Sequence, residues 1–111
     1  MAFAKACSLD DVWEGEMGVF AVAGTEVLVI HKDGGGVIAC QAICPHQNIP
    51  LDEGTLQGGV LTCRAHLWQF DVESGESINP TGCRIALYPV RIEGDDVLVN
   101  IDGVEPVHAV A

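Results

Sequence analysis

Aromatic and basic residues are scarce in this chain of 111 residues. Aromatic side chains make up 5% of it, so a core has to be built mainly from Val, Ile, Leu and Ala. Five Lys and Arg residues stand against sixteen Asp and Glu residues, which gives a formal charge of −11. This balance is poorly suited to the phosphate backbone, so we expect no nucleic-acid partner. The acidity fits a soluble surface and, equally well, steering toward basic partner faces.

Long apolar runs are missing too. No stretch approaches the ~18 residues that a membrane span needs, and residues 1–12 lack the apolar segment of a signal peptide. The sequence therefore predicts a cytoplasmic protein without membrane contact. In that compartment, five cysteines indicate metal ligands and free thiols rather than disulfides.

Signatures of an autonomous enzyme are not found either. No G-x-G-x-x-G opens a helix, and the glycines at 34–36 read as a hairpin turn. No Ser/His/Asp set or pair of carboxylates stands out. We therefore predict no catalytic residue and a protein that is not an enzyme on its own.

Two short Cys/His motifs are present instead. Cys44-Pro-His46 is followed, after sixteen residues, by Cys63-Arg-Ala-His66. Two sulfur and two nitrogen donors suit a tetrahedral zinc site or a Rieske [2Fe–2S] centre. Structural zinc sites usually take like residues in pairs, whereas each motif here supplies one Cys and one His, as a Rieske centre requires. A zinc site built with Cys40 in place of His46 remains an alternative, but it leaves His46 unexplained.

Many short strand-like segments separated by glycine-rich turns predict an all-β domain. Residues 26–32 carry apolar side chains at both odd- and even-numbered positions, that is, on both faces of an extended chain. This predicts a central strand. Ser8 is expected to cap a helical turn, and Trp13 just beyond it is expected in the core or at its rim. The predicted strands are residues 3–7, 16–23, 26–32, 37–42, 60–63, 69–72, 89–93 and 96–101.

The motifs and their flanking strings resemble the Rieske ferredoxins. The resemblance runs from about Phe3 to Ile101, and it is greatest to the ferredoxin component of toluene monooxygenases, of the toluene 4-monooxygenase and toluene/o-xylene monooxygenase kind. The strings that carry it are Ser8-Leu-Asp-Asp-Val-Trp13, Cys63-Arg-Ala-His-Leu-Trp-Gln-Phe70, Ile78-Asn-Pro80 and Tyr88-Pro-Val90.

This resemblance implies a Rieske fold of stacked antiparallel sheets, in one domain spanning 1–111. Two loops, at about 43–51 and 63–68, would form a tip that binds one [2Fe–2S] cluster. A third loop, at about 77–82, would cover the cluster with Pro80. The implied ligands are Cys44, His46, Cys63 and His66.

The resemblance also implies a function and partners. The protein would be a monomeric carrier that takes electrons from an NADH-dependent flavin/iron–sulfur reductase and passes them to a diiron aromatic hydroxylase. A ferredoxin of a Rieske ring-hydroxylating dioxygenase, or a small Rieske-like subunit of a larger reductase, would share the same site.

Several neighbours of the ligands are candidates for supporting or docking roles. Gln47, Arg64 and Trp68 adjoin the ligands. An ordinary surface role explains Gln47 and Arg64 equally well, and packing alone is the better explanation for Trp68. Trp68 and Phe70 match positions where high-potential Rieske proteins carry hydroxyl donors, so their lack of hydroxyls predicts a low potential. The acidic residues expected to meet a partner near the tip are Asp52, Glu53 and Asp71.

Overall fold

The computed structural model describes residues 3–32, 34–45, 49–64, 68–79 and 82–106. Within these ranges, eleven strands form three antiparallel sheets, ordered β1-β11-β10, β2-β3-β4-β9 and β5-β6-β7-β8. The same ranges contain no helix with the length and apolar character needed to cross a membrane. The strands are β1 (Ala4–Ser8), β2 (Met17–Val22), β3 (Thr25–His31), β4 (Val37–Gln41), β5 (Thr55–Gln57), β6 (Val60–Thr62), β7 (Gln69–Asp71), β8 (Ser77–Asn79), β9 (Leu87–Tyr88), β10 (Val90–Glu93) and β11 (Asp96–Val99).

The second sheet is buried on both faces, which makes it the middle layer of the molecule. In β3, Leu28 and Ile30 pack into one core with the third sheet, while Val27 and Val29 pack into another with the first sheet. Successive side chains of a strand point to opposite faces, so a strand buried on both faces needs apolar residues at odd- and even-numbered positions alike. The prediction of a central strand at 26–32 is therefore confirmed.

Two 3-10 helices interrupt the strands, at Leu9–Asp11 and Leu51–Glu53. The first lies where Ser8 was expected to cap a helical turn, and the Ser8 amide donates to the Asp11 carboxylate at 2.9 Å. The expectation for Trp13 is wrong, because 67% of this residue is exposed. Its indole Nε1 donates to the Asp10 carbonyl at 3.0 Å, which holds the ring over the short helix instead of in the core.

Three strands were not predicted: β5, β8 and β9. Each has only two or three residues, which is too short for alternation to give a periodic signal. The strand β8 corrects the bounds of the expected covering loop at 77–82, because residues 77–79 pair with β7. Pro80 lies outside the described residues.

Candidate metal centre

Strand β4 delivers Cys44 to the core beside the third sheet. Cys40, Ala42 and Cys44 alternate toward that core, and only 2% of Cys44 is exposed. The chain returns at once, because the Cys44 amide donates to the Ile49 carbonyl at 2.9 Å and the Leu51 amide to the Ala42 carbonyl at 2.8 Å. These bonds join the two ends of the segment that follows Cys44. We call such a hydrogen-bonded pair of loop ends, here Cys44 and Ile49, the neck of the loop.

The second loop repeats this arrangement. Cys63 follows β6, is fully buried, and donates its amide to the Trp68 carbonyl at 2.7 Å. In both loops the bond joins a cysteine to the residue five positions later. Each cysteine therefore stands at the first position of a loop of the same span, with its side chain in the same core.

The two predicted histidine ligands, His46 and His66, lie in spans 46–48 and 65–67, outside the described residues. Among the residues that are described, no three His, Cys, Asp or Glu side chains form a group that could hold a metal ion. The structure therefore places the two sulfur donors together in one core and leaves the two nitrogen donors as predictions. Gln47 also falls outside the described residues.

Arg64 connects the two loops. Its Nε donates to Glu53 Oε1 at 2.9 Å, which joins the residue after Cys63 to the 3-10 helix that follows the first loop. The side chains are 59% and 49% exposed, so this ion pair adds little stability. It does mean that Glu53, expected to be a docking carboxylate, already has a partner within the chain.

Trp68 packs against the core from the end of the second loop. Its ring centroid lies 6.5 Å from that of Phe70, which is fully buried. This contact supports the packing interpretation of Trp68. Neither ring carries a hydroxyl, so this pair brings no hydroxyl hydrogen bond to the site.

A third neck lies at the predicted covering loop. The Ser77 amide donates to the Cys83 carbonyl at 2.9 Å, and the Cys83 amide donates back to the Ser77 hydroxyl at 2.9 Å. Ser77 is buried and Cys83 is half-buried, so these bonds are partly shielded from water. Although Pro80 and Thr81 are outside the described residues, the ends of their loop are joined as tightly as those of the ligand loops.

Two residues that support the loops had no recognisable signal in the sequence. Gln41 is a buried carboxamide at the end of β4 that bonds to the backbone beside Cys44. Gly54 leaves no room for a side chain, because a Cβ there would overlap the carbonyl oxygen of Thr62, the residue before Cys63. One Gly among thirteen is not distinctive, and a Gln at a strand end is usually solvated.

The other cysteines are structural in character. All five cysteines lie in the described residues and are free thiols. Cys40 is fully buried in the middle of β4, and burial raises the pKa of its thiol to about 12. Burial likewise raises the pKa of Cys7, in the other core, to about 11. Such thiols pack as small apolar residues.

The profile of the Rieske [2Fe–2S] domain matches residues 2–89 of the chain. The chain belongs to this family. A Rieske-type [2Fe–2S] cluster is thus its cofactor. Such a cluster needs cysteine thiolates, and the structure has two buried cysteines, Cys44 and Cys63, at matched loop necks. The family assignment removes the zinc alternatives that the spacing had left open.

Relatives of known function extend this result. The chain is 46% identical over 105 residues to the ferredoxin component of the alkene monooxygenase system of Xanthobacter autotrophicus, covering 94% of this chain and 83% of the relative. It is 39% identical to a biphenyl dioxygenase ferredoxin subunit of a Pseudomonas species, covering 90% and 93%. The ferredoxin of carbazole 1,9a-dioxygenase from Nocardioides aromaticivorans superposes with a TM-score of 0.80, at 29% identity and coverage of 89% and 97%.

These similarities confirm the all-β Rieske fold and the predicted role. The chain is an electron-carrier ferredoxin and not an enzyme on its own, since its relatives are named as components of oxygenase systems. The resemblance to monooxygenase ferredoxins is confirmed as well.

Proposed function

We propose that this Rieske ferredoxin is the electron-transfer component of a multicomponent monooxygenase. It takes an electron from an NADH-dependent flavin/iron–sulfur reductase and delivers it to a diiron hydroxylase of the toluene monooxygenase type. The observation that carries the proposal is the 46% identity to a monooxygenase ferredoxin over nearly the whole chain. The substrate itself would be selected by the hydroxylase.

The alternative partner is a Rieske oxygenase, as in the dioxygenase systems whose ferredoxins are also similar to this chain. Stopped-flow mixing of the reduced protein with a purified diiron hydroxylase, and separately with a Rieske dioxygenase, distinguishes the two. We expect rapid oxidation and coupled product formation only with the diiron hydroxylase. Coupled turnover only with the dioxygenase would overturn the proposal in favour of the alternative.

We further propose that Cys44, His46, Cys63 and His66 are the cluster ligands. The support is the matched necks of the two loops, each with a buried cysteine at its first position. When bound, a [2Fe–2S] centre supplies reversible one-electron transfer. The two cysteines act as thiolates, so two negative charges balance the oxidised core and the site is neutral.

Single substitutions test this ligand set. Cys44→Ser, Cys63→Ser, His46→Ala and His66→Ala are each expected to abolish the rhombic EPR signal of the reduced protein. Cys83→Ser is the matched control, since its sulfur is half-buried and lies outside both ligand loops. If any of the four variants kept the wild-type signal and iron content, that residue would not be a ligand.

We also propose that the chain forms one domain over 1–111 and acts as a cytoplasmic monomer. Five cysteines with no disulfide between them suit a reducing compartment, and a shuttling carrier must leave each partner after transfer. Light scattering coupled to size exclusion is expected to give the mass of a single chain. A stable dimer at micromolar concentration would contradict the monomer.

A further inference from the structure

Gln41 is a buried carboxamide whose two polar atoms both bond to the backbone. It is 2% exposed. Its Nε2 donates to the Ile43 carbonyl at 2.8 Å, and its Oε1 accepts from the Ala86 amide at 2.7 Å. The Gln41 amide also donates to the Ala86 carbonyl at 3.0 Å. The backbone amide and the backbone carbonyl of Ala86 are therefore both bonded to Gln41, one to its side chain and the other to its main chain.

The first bond acts on the peptide unit that precedes Cys44. That unit consists of the Ile43 carbonyl and the Cys44 amide. The carbonyl accepts from Gln41, and the amide donates to Ile49 at 2.9 Å. With both ends bonded, the plane of this peptide is held, and so is the direction in which Cys44 leaves the backbone. A buried amide and carbonyl left without partners would each cost about 1–3 kcal/mol.

The second bond connects this peptide to the segment that leads from the covering loop into β9. Ala86 lies three residues after Cys83, where the third neck closes, and the Ile85 amide is fixed to the Gly75 carbonyl at 2.7 Å. Gln41 is therefore a bridge between the first ligand loop and the covering loop. Its two partners are separated by 43 positions in the chain, so only the fold brings them together.

We propose that Gln41 is a positioning residue that orients Cys44 toward the [2Fe–2S] cluster and couples the first ligand loop to the covering loop. This inference rests on the proposed assignment of Cys44 as a ligand. A residue with a merely structural role would change the free energy of unfolding alone. A positioning residue must also change the EPR g-values of the cluster and the rate at which a chelator removes its iron.

Gln41→Met tests the proposal, because methionine keeps the length of the side chain and loses both hydrogen bonds. We expect altered g-values and about tenfold faster iron loss to a chelator, the lower end of what losing a ligand's supporting contact costs in other metal sites. Asn100→Leu is the matched control. Asn100 is also a buried carboxamide, 4% exposed, but it bonds to the Asp102 amide beyond β11. This control is expected to lower the melting temperature with a wild-type EPR spectrum.

Gln41→Glu covers the case in which the methionine variant does not fold. As a carboxylate, glutamate still accepts from the Ala86 amide and has no proton to donate to the Ile43 carbonyl. We expect its g-values to differ from those of the wild type. Wild-type g-values and iron-loss rates in the folded Gln41 variants would overturn the inference. An unchanged spectrum in Cys44→Ser, or a wild-type protein without the cluster, would instead overturn the ligand assignment on which it rests.

Discussion

At the scale of single residues, three cysteines in one core differ in position more than in surroundings. Cys40, Cys44 and Cys63 are all at most 2% exposed and belong to the same packed group. Cys40 lies within β4, paired with Leu28 on one side and Leu87 on the other. Cys44 and Cys63 each begin a loop. A cysteine at a loop neck lies beside the residues of its loop, whereas Cys40 lies between two paired strands, so position favours Cys44 and Cys63 as the proposed ligands.

The burial of Cys40 predicts how stability changes at alkaline pH. Its folded pKa of about 12 exceeds the model-compound value of 9.0, so the unfolded chain loses this proton first. The stabilisation is complete below pH 9 and falls as pH rises toward 12, by about 1.4 kcal/mol per pH unit. Denaturant unfolding of the wild type and Cys40→Ala across that range is the measurement. Parallel pH curves for the two proteins would contradict the prediction.

Gly54 predicts a large steric effect from one methyl group. In Gly54→Ala the new Cβ would overlap the Thr62 carbonyl oxygen and lie 3.0 Å from its carbon, immediately before Cys63. Since the backbone on both sides must move, we expect the free energy of unfolding to fall by about 3 kcal/mol or more. We also expect a reduced cluster content. Gly36→Ala is the control, because its Cβ meets only the flexible end of Lys32, at 2.7 Å. Equal melting temperatures for the two variants would count against this account.

At the scale of elements, the three loops of the proposed site have necks that are closed by hydrogen bonds. The pairs are Cys44 with Ile49, Cys63 with Trp68, and Ser77 with Cys83. Each neck joins strands of sheets that already share one core. The rigid part of the site is thus the base of each loop, which the sheets hold in place.

One of the two hydrogen bonds that close the third neck depends on a single side-chain oxygen, that of Ser77. Ser77→Ala leaves the part-buried Cys83 amide without its acceptor, at an expected cost of about 1 kcal/mol in the free energy of unfolding. Ser74→Ala removes a similar bond, to the Glu76 amide, from an exposed turn and should cost less than about 0.5 kcal/mol. Chemical denaturation of both variants gives the comparison. A cost for Ser77→Ala no greater than that for Ser74→Ala would show that the neck contributes nothing.

At the scale of the whole molecule, the charge of −11 is spread over a surface with few cations. Lys5, Arg64 and Arg91 form ion pairs with carboxylates of this chain, so few cations remain to offset the other acidic residues. Of the three acids expected near the tip, Glu53 is paired with Arg64, and Asp71 accepts from the Glu73 amide. Asp52 is exposed, directly after the first loop, and is the best remaining probe of docking.

Asp52→Lys is expected to slow electron transfer to the oxygenase about threefold or more at low ionic strength, because a steering charge is reversed. The effect should shrink with added salt. Asp95→Lys changes net charge equally, in the β10–β11 turn, and serves as the control. Stopped-flow rates decide the matter. Equal slowing by both variants would indicate net charge alone, and no slowing at low salt would exclude docking at Asp52.

The molecule as a whole also favours the oxidised cluster. An acidic protein opposes an added electron, and Trp68 and Phe70 bring no hydroxyl donor to the site. We therefore expect a midpoint potential near the low end of the Rieske range, about −150 mV rather than +300 mV. A potentiometric titration followed by visible absorbance measures it, and a clearly positive midpoint would contradict the expectation.

The sequence by itself determined the Cys/His motifs that place the chain in its family, the central strand and the all-β class. Cys44 and Cys63 each stand within three residues of a histidine, and the apolar residues at odd- and even-numbered positions of β3 are likewise local features. Only the tertiary structure decided the contacts that hold the site: Gln41 with Ala86, Gly54 with Thr62, and Arg64 with Glu53. It also decided that Trp13 is exposed. Composition and spacing report short-range order, whereas a hydrogen bond between residues 45 positions apart exists only after the sheets have packed.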